Sequence, residues 1–345
     1  MKAPPAPPPQ PLPRLAFDAH THLDMLPEPV EEVLAAARAA GIVRVVTVGC
    51  DVDSSRWAAA RAAQHAAVYA AVAIHPNETA RAEARHGRDS ALAEIASLAA
   101  LPQVRAVGET GLDYYRNHAA PALQRDWFAG HIEIAKATGK ALMIHDRDAH
   151  EDVLDILAQQ RAPEHVVFHC FSGDAEMAKR CADAGYVMSF AGNVTFPNAR
   201  QLREAAAAAP AELILVETDA PFLTPVPNRG RVNAPAQVAH TLRAIAELKQ
   251  VDVAGLCTTI MATGERVFGP WAEASRRAAG LGRPVTVSKD QPGCRADPGG
   301  ICRAWLGDLR ARPPGHAGRQ AGKARRDRGR RPACDSVPSE LTWPP

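Results

Sequence analysis

The chain has 345 residues, 46% of them hydrophobic and 23% charged, with a formal net charge of +2. That length holds one large α/β barrel plus appendages, and the apolar share is ordinary for a globular protein. No stretch approaches the roughly 18 uninterrupted apolar residues of a membrane span, so a soluble protein with no membrane partner is expected.

The first residues, MKAPPAPPPQPLPR (1–14), lack an apolar h-region, so they do not read as a secretory signal. Their prolines predict a disordered leader of polyproline II character. From Leu15 to Phe268 the chain alternates short aliphatic runs with longer Ala/Leu/Glu/Arg segments of helical period. Strands are predicted at LAFDAH, RVVTVG, VYAAVAI, VRAVGE, ALMIH, HVVFHC, YVMSF and LILVET. Helices are predicted at PVEEVLAAARAAG, SSRWAAARAAQ, DSALAEIASLAA, PALQRDWFAGHIEIAKATG, HEDVLDILAQQ, DAEMAKRCADAG and NARQLREAAAAA, with two more after the eighth strand. Gly41, Gly139 and Gly185 stand where left-handed helix caps are expected. This pattern predicts a TIM-type (β/α)8 barrel over residues 15–270, with an open doubly wound sheet as the competitor.

Five strands stop at a histidine or an acid: His20 and His22, Glu109, His145, His169 and Asp219. A closed parallel barrel gathers the C-terminal ends of its strands around one pit, which an open sheet does not. His20 and His22 are two apart, so on a strand both imidazoles lie on one face and can grip one cation. Imidazoles and carboxylates suit divalent ions such as Mg2+, Mn2+ or Zn2+, and a carboxylate can bridge two of them. Glu109 is assigned as that bridge, with His145 and His169 completing the second ion's ligands. Asp219 is assigned both as a ligand of the first ion and as the base for a water activated by it. Glu217, on the same strand face as Asp219, is given a supporting role.

Residues just beyond the strand ends are the candidate substrate contacts: His75 and Asn77 after strand 3, Arg147 after strand 5, Ser172 after strand 6 and Arg229 after strand 8. Arginine matches phosphate oxygens bidentately, which makes Arg147 and Arg229 the candidate phosphate contacts. Seven cysteines form no CxxC pair, and their odd number argues against a disulfide framework, so a reducing cytoplasm is the expected compartment.

The motifs DAHTHLD (18–24), IHPNE (74–78), GETGLDYY (108–115), IHDRDA (144–149), FHCFSG (168–173) and ETDAPFL (217–223) occur in the order seen in one group. Over residues 15–269 the sequence resembles the TatD family of metal-dependent deoxyribonucleases, amidohydrolase-like barrel proteins. The resemblance implies that His20, His22, Glu109 and Asp219 bind one metal and that Glu109 shares a second with His145 and His169. It also implies hydrolysis of DNA phosphodiester bonds, in relatives often as a 3′→5′ exonuclease on single strands.

Two other readings remain at this point. Similar barrels open small amides, lactones or phosphoesters, although those enzymes commonly bridge their metals with a carboxylated lysine and strand 4 here offers Glu109. A non-catalytic nucleic-acid-binding protein is the other, acting through residues 271–345. These carry 15 Lys+Arg against 7 Asp+Glu and leave 25 against 31 for residues 1–270. That basic Gly/Pro/Arg-rich segment reads as a disordered tail. The sequence leaves the oligomeric state open.

Overall fold

The computed structural model describes residues 4–116 and 118–270; the basic tail read from the sequence lies outside them. Eight parallel strands form one sheet in sequential order: β1 (Ala16–Thr21), β2 (Ile42–Val48), β3 (Val68–Val72), β4 (Val104–Asp113), β5 (Ala141–Arg147), β6 (Val166–Phe168), β7 (Val187–Phe190) and β8 (Ile214–Val216). Beyond β8 the chain closes the ring on β1, where Asp219 N donates to His20 O at 3.0 Å and His22 N to Ala220 O at 2.8 Å. The expected barrel is therefore the observed one.

A buried acid fastens that closure. Both carboxylate oxygens of Asp18 are occupied by Thr218, one by its N–H at 2.8 Å and the other by its hydroxyl at 2.5 Å. Burial pushes the Asp18 carboxyl well above its usual range, against the pull of those two bonds.

The helices are α1 (Val30–Ala39), α2 (Val52–Gln64), α3 (Thr79–His86), α4 (Arg88–Ala99), α5 (Pro121–Thr138), α6 (His150–Gln160), α7 (Ala175–Asp183), α8 (Arg200–Ala208), α9 (Val238–Lys249) and α10 (Val253–Phe268). Their ends follow local chemistry: Asp51 and Ser54 make a capping box on α2, Asp174 and Asp252 cap α7 and α10, and Pro121 opens α5. The three expected cap glycines have φ of +91°, +63° and +73° at Gly41, Gly139 and Gly185. The sequence pattern does not reveal α3. This helix is short and buries only Thr79 and Ala82, so it carries no apolar stripe to read.

The leader differs from expectation. Residues 4–14 are extended but not free: Leu12 is buried, its N–H donates to Ala40 O at 3.0 Å, and Arg243 on α9 donates to the carbonyls of Gln10 and Pro11 at 2.9 Å each. Polyproline leaves its carbonyls without internal partners, so nearby side-chain donors can capture the run.

Among the described residues no helix is long and apolar enough to cross a membrane. Between barrel and helix layer, Phe17 of β1 lies fully buried against Phe268, with ring centroids 6.2 Å apart in an edge-to-face contact. Gly264 of α10 faces the Phe17 ring so closely that a Cβ there would overlap it. Gly264→Ala gains about 1 kcal/mol of helix propensity but overpacks a rigid ring at about 1–3 kcal/mol. The expected outcome is a net stability loss of up to about 2 kcal/mol, read as a lower urea midpoint at unchanged slope.

Candidate metal centre

β1 delivers two imidazoles to the mouth of the barrel because His20 and His22 are two residues apart, and their Nε2 atoms lie 3.2 Å from each other. Glu109 Oε1 lies 3.8 Å from His20 Nε2 and 3.5 Å from His22 Nε2. Asp219 Oδ1 lies 3.6 and 3.4 Å from the same two nitrogens. Donors on a tetrahedral cation with bonds of about 2.0–2.1 Å stand about 3.3–3.4 Å apart, so His20, His22 and Asp219 are spaced to hold one divalent ion, with Glu109 beside the two imidazoles.

Asp219 sits beyond the end of β8 with φ of +53°, a left-handed conformation that aspartate tolerates better than most residues. Its backbone is pinned on both sides, its N–H to His20 O at 3.0 Å and its carbonyl to Phe222 N at 2.8 Å.

The other oxygen of Glu109 serves a different group. Oε2 lies 2.8 Å from His169 Nε2 and 3.3 Å from His145 Nδ1. One carboxylate thus faces two donor sets, and all six residues expected as ligands converge on it or on its neighbours.

Residues 17–269 match the family described as TatD related DNase. The chain belongs to that family. A Mycobacterium tuberculosis relative, an uncharacterized metal-dependent hydrolase TatD, is 48% identical over 263 residues, which are 73% of this chain and 97% of the relative. The Bacillus subtilis uncharacterized metal-dependent hydrolase YabD is 36% identical over 258 residues, 74% of this chain and 99% of the relative. The crystal structure of the TatD homolog YJJV from Escherichia coli K12 superposes with a TM-score of 0.68 at 25% identity, covering 74% of this chain and 98% of that one. This TatD-family chain is a metal-dependent hydrolase.

Around the TatD donor set, the second nitrogen of each imidazole has a partner. His22 Nδ1 donates to Val48 O at 3.3 Å, which leaves Nε2 free to ligate. His169 Nδ1 donates to Glu217 at 3.0 Å, and Glu217 is further held by Cys170 N at 2.7 Å. His145 Nε2 meets Asp113 Oδ2 at 3.3 Å, and His20 Nδ1 meets Met143 Sδ at 3.2 Å.

Asp113 was not singled out in the sequence, yet the signal was present. It stands four residues after Glu109, and a strand that continues past Glu109 puts both on one face. The observed β4 does continue, pairing Gly111 with His145 and Asp113 with Arg147 of β5. Gly111 permits it: its φ is +140°, and a Cβ there would overlap the His145 carbonyl. Behind β4, buried His131 accepts from Ile74 N at 3.1 Å and pairs with Thr110 Oγ1 at 2.9 Å. It thereby ties the β3 end to the residue after Glu109.

Burial alone would raise the Glu109 carboxyl, but His169, His75 and His145 outweigh it and hold the group well below the usual range. Burial, then the charge of His169, keeps His20 well below the ordinary imidazole value. Burial also opposes protonation of His169 and His145. Glu109 and Glu217 nevertheless raise His169, while Asp113 and Glu109 raise His145. Cys50, 3.5 Å from Glu109, is pushed up to about 12 by burial and stays a thiol at neutral pH.

The expected substrate contacts occupy varied positions. His75 Nδ1 accepts from Asn77 N at 3.0 Å, so its proton is on Nε2, which points at Glu109 Oε2 from 3.9 Å. Burial and then His145 lower His75 to about 3, so it is neutral. Asn77 spends its amide on Asp113 Oδ2 at 2.8 Å, and Ser172 Oγ donates to Asp146 O at 2.9 Å. Arg147, expected after strand 5, is the last residue of β5 and stacks over Tyr115 at 3.8 Å, while Arg229 in the loop after β8 stacks over Phe196 at 4.0 Å.

Raised pKa values at His169 and His145 mean that a cation held by these imidazoles would have to displace protons from them. Apparent cation affinity should therefore rise with pH, and calorimetry in buffers of different ionisation enthalpy should register proton release. Glu217→Gln should weaken the affinity of the His145/His169 set by about 10–100-fold while the fold is kept, which the same titration checks.

Proposed function

We propose that this TatD-family hydrolase is a deoxyribonuclease that cleaves DNA phosphodiester bonds at single-stranded ends, using two divalent cations, Mg2+, Mn2+ or Zn2+, shared across Glu109. The observation that carries the reading is the division of Glu109, with Oε1 facing His20 and His22 and Oε2 facing His145 and His169. The family description supports DNA as substrate, and the 3′→5′ direction rests on the family resemblance.

Divalent cations held in these donors would polarise a phosphoryl oxygen and provide hydroxide at neutral pH. Asp219 is placed to take the proton: its Oδ1 faces both β1 histidines and its side chain is 14% exposed, so the proton can pass on to solvent. His75 offers a neutral N–H beside Glu109 for a phosphoryl oxygen. Arg147 and Arg229, with their guanidinium planes seated on aromatic rings, supply positive charge for neighbouring phosphates. Asp113 and Glu217 orient His145 and His169 so that the donors need not reorganise as charge develops.

The test is degradation of end-labelled single-stranded DNA by purified protein with each cation and with chelator. Metal-dependent cleavage is expected, with Asp219→Ala lowering kcat by about 10²–10⁴-fold and Glu109→Ala abolishing turnover, both at an unchanged circular dichroism spectrum. Full turnover by either variant would overturn the site assignment. An inert wild-type enzyme with bound cations would remove the nuclease reading and make small phosphoesters, amides and lactones the substrates to assay.

A further inference from the structure

The family match begins at residue 17, after the proline-rich leader. Its contacts are concentrated on the segment that follows Asp219. Val232 lies there, and both of its peptide groups are taken by the leader: its N–H donates to Pro4 O at 3.0 Å and its carbonyl accepts from Ala6 N at 3.2 Å, in a parallel bridge between Pro5 and Val232. Across residues 4–9 (PPAPPP) Ala6 is the only residue with a backbone N–H, and this one donor is used on Val232.

A second link runs through a side chain. Gln237, 2% exposed, donates its amide to Pro7 O at 2.8 Å and accepts from Asn228 Nδ2 at 3.0 Å, so it couples the leader to the residue before Arg229. Arg231 adds a longer bond to Pro5 O at 3.4 Å. The inner end of the segment is held independently, because Asn233 Nδ2 donates to the carbonyls of Thr218 at 2.9 Å and of Phe222. The outer part, residues 228–232, has turn bonds of its own, Asn228 N to Pro225 O at 2.8 Å and Thr224 Oγ1 to Arg231 O at 2.6 Å, but at Val232 both backbone hydrogen bonds are to the leader.

We infer that the leader is a strand-like clamp that fixes the β8 loop, and with it Arg229, for substrate capture. The leader acts through the loop and is a positioning element with no part in the chemistry. The substrate half of this inference rests on the proposed reading of Arg229 as a phosphate contact; the structural half does not.

The experiment compares full-length wild type with Ala6→Pro, which deletes one N–H and keeps the polyproline conformation, and with Gln237→Leu, which breaks the side-chain link. Hydrogen exchange at Val232 and across residues 228–233 should speed up by about two- to tenfold in either variant, the scale of one lost hydrogen bond. KM for single-stranded DNA should rise severalfold at unchanged kcat, with cation affinity unchanged by calorimetry. Exchange equal to wild type in both variants overturns the clamp. Faster exchange with an unchanged KM overturns its role in substrate capture. Because exchange requires no substrate, absence of DNA cleavage by wild type counts against the nuclease reading and leaves the clamp to be judged by exchange.

Discussion

Glu109 is 4% exposed and its carboxyl is held well below the usual range, so a buried negative charge stands at the mouth of the barrel. Such a charge is tolerable only where partners surround it, because desolvation otherwise exceeds the attraction. Its partners come from three other strands or strand ends: His20 and His22 from β1, His145 from β5 and His169 after β6. β5 is the direct neighbour of β4, but β1 stands three strands away in the sheet order, so His20 and His22 meet Glu109 only because the sheet is rolled into a ring. The Asp18–Thr218 bonds that fasten the chain beyond β8 to β1 therefore belong to the same design as the site, since they place Asp219 beside His20 and His22.

The donors and the residues that orient them are divided between rigid and looser parts of the structure. The donor side chains project from strands or from their immediate ends, where parallel pairing sets their spacing, and the second nitrogen of each imidazole meets Val48, Met143, Asp113 or Glu217. Of the two candidate phosphate contacts, Arg147 is the last residue of β5 and Arg229 lies in the loop after β8. Their guanidinium planes lie over the rings of Tyr115 and Phe196. The loop that carries Arg229 can change in length and sequence without disturbing the donors that stand on strands or their immediate ends.

All eight strands, and the convergence of His20, His22, Glu109, His145, His169 and Asp219 at the barrel mouth, were legible because apolar runs that end in a histidine or acid report burial and a strand end together. What the sequence hid has physical causes. β4 was expected to stop at Glu109, since glycines usually end strands; here Gly111 is the residue that lets β4 and β5 approach, and the extension carries Asp113 to His145. α3 lacks an apolar stripe and gives no periodic signal. The leader was expected to be disordered because composition reports its missing internal bonds but not the donors of Arg243 and Gln237, more than 200 residues away. Asn77 looked like a substrate contact from its place after β3, whereas its amide is directed at Asp113.

Residues 1–270 hold 25 Lys+Arg against 31 Asp+Glu, an odd balance for a protein proposed to act on a polyanion. The objection loses force when distance is considered. Charges at an aqueous surface are screened over a Debye length of about 8 Å at physiological salt, so acids on the outer helices contribute little at the barrel mouth. Two divalent cations would bring four positive charges against the negative charges of Glu109, Asp219 and Asp113, in a setting less screened than the surface. The site would then be locally cationic on an acidic body, with Arg147 and Arg229 extending that field by a residue or two. A long basic groove would hold a strand along its length. A confined cationic pit favours a few phosphates at a time, and a free strand end presents them without a duplex having to be opened.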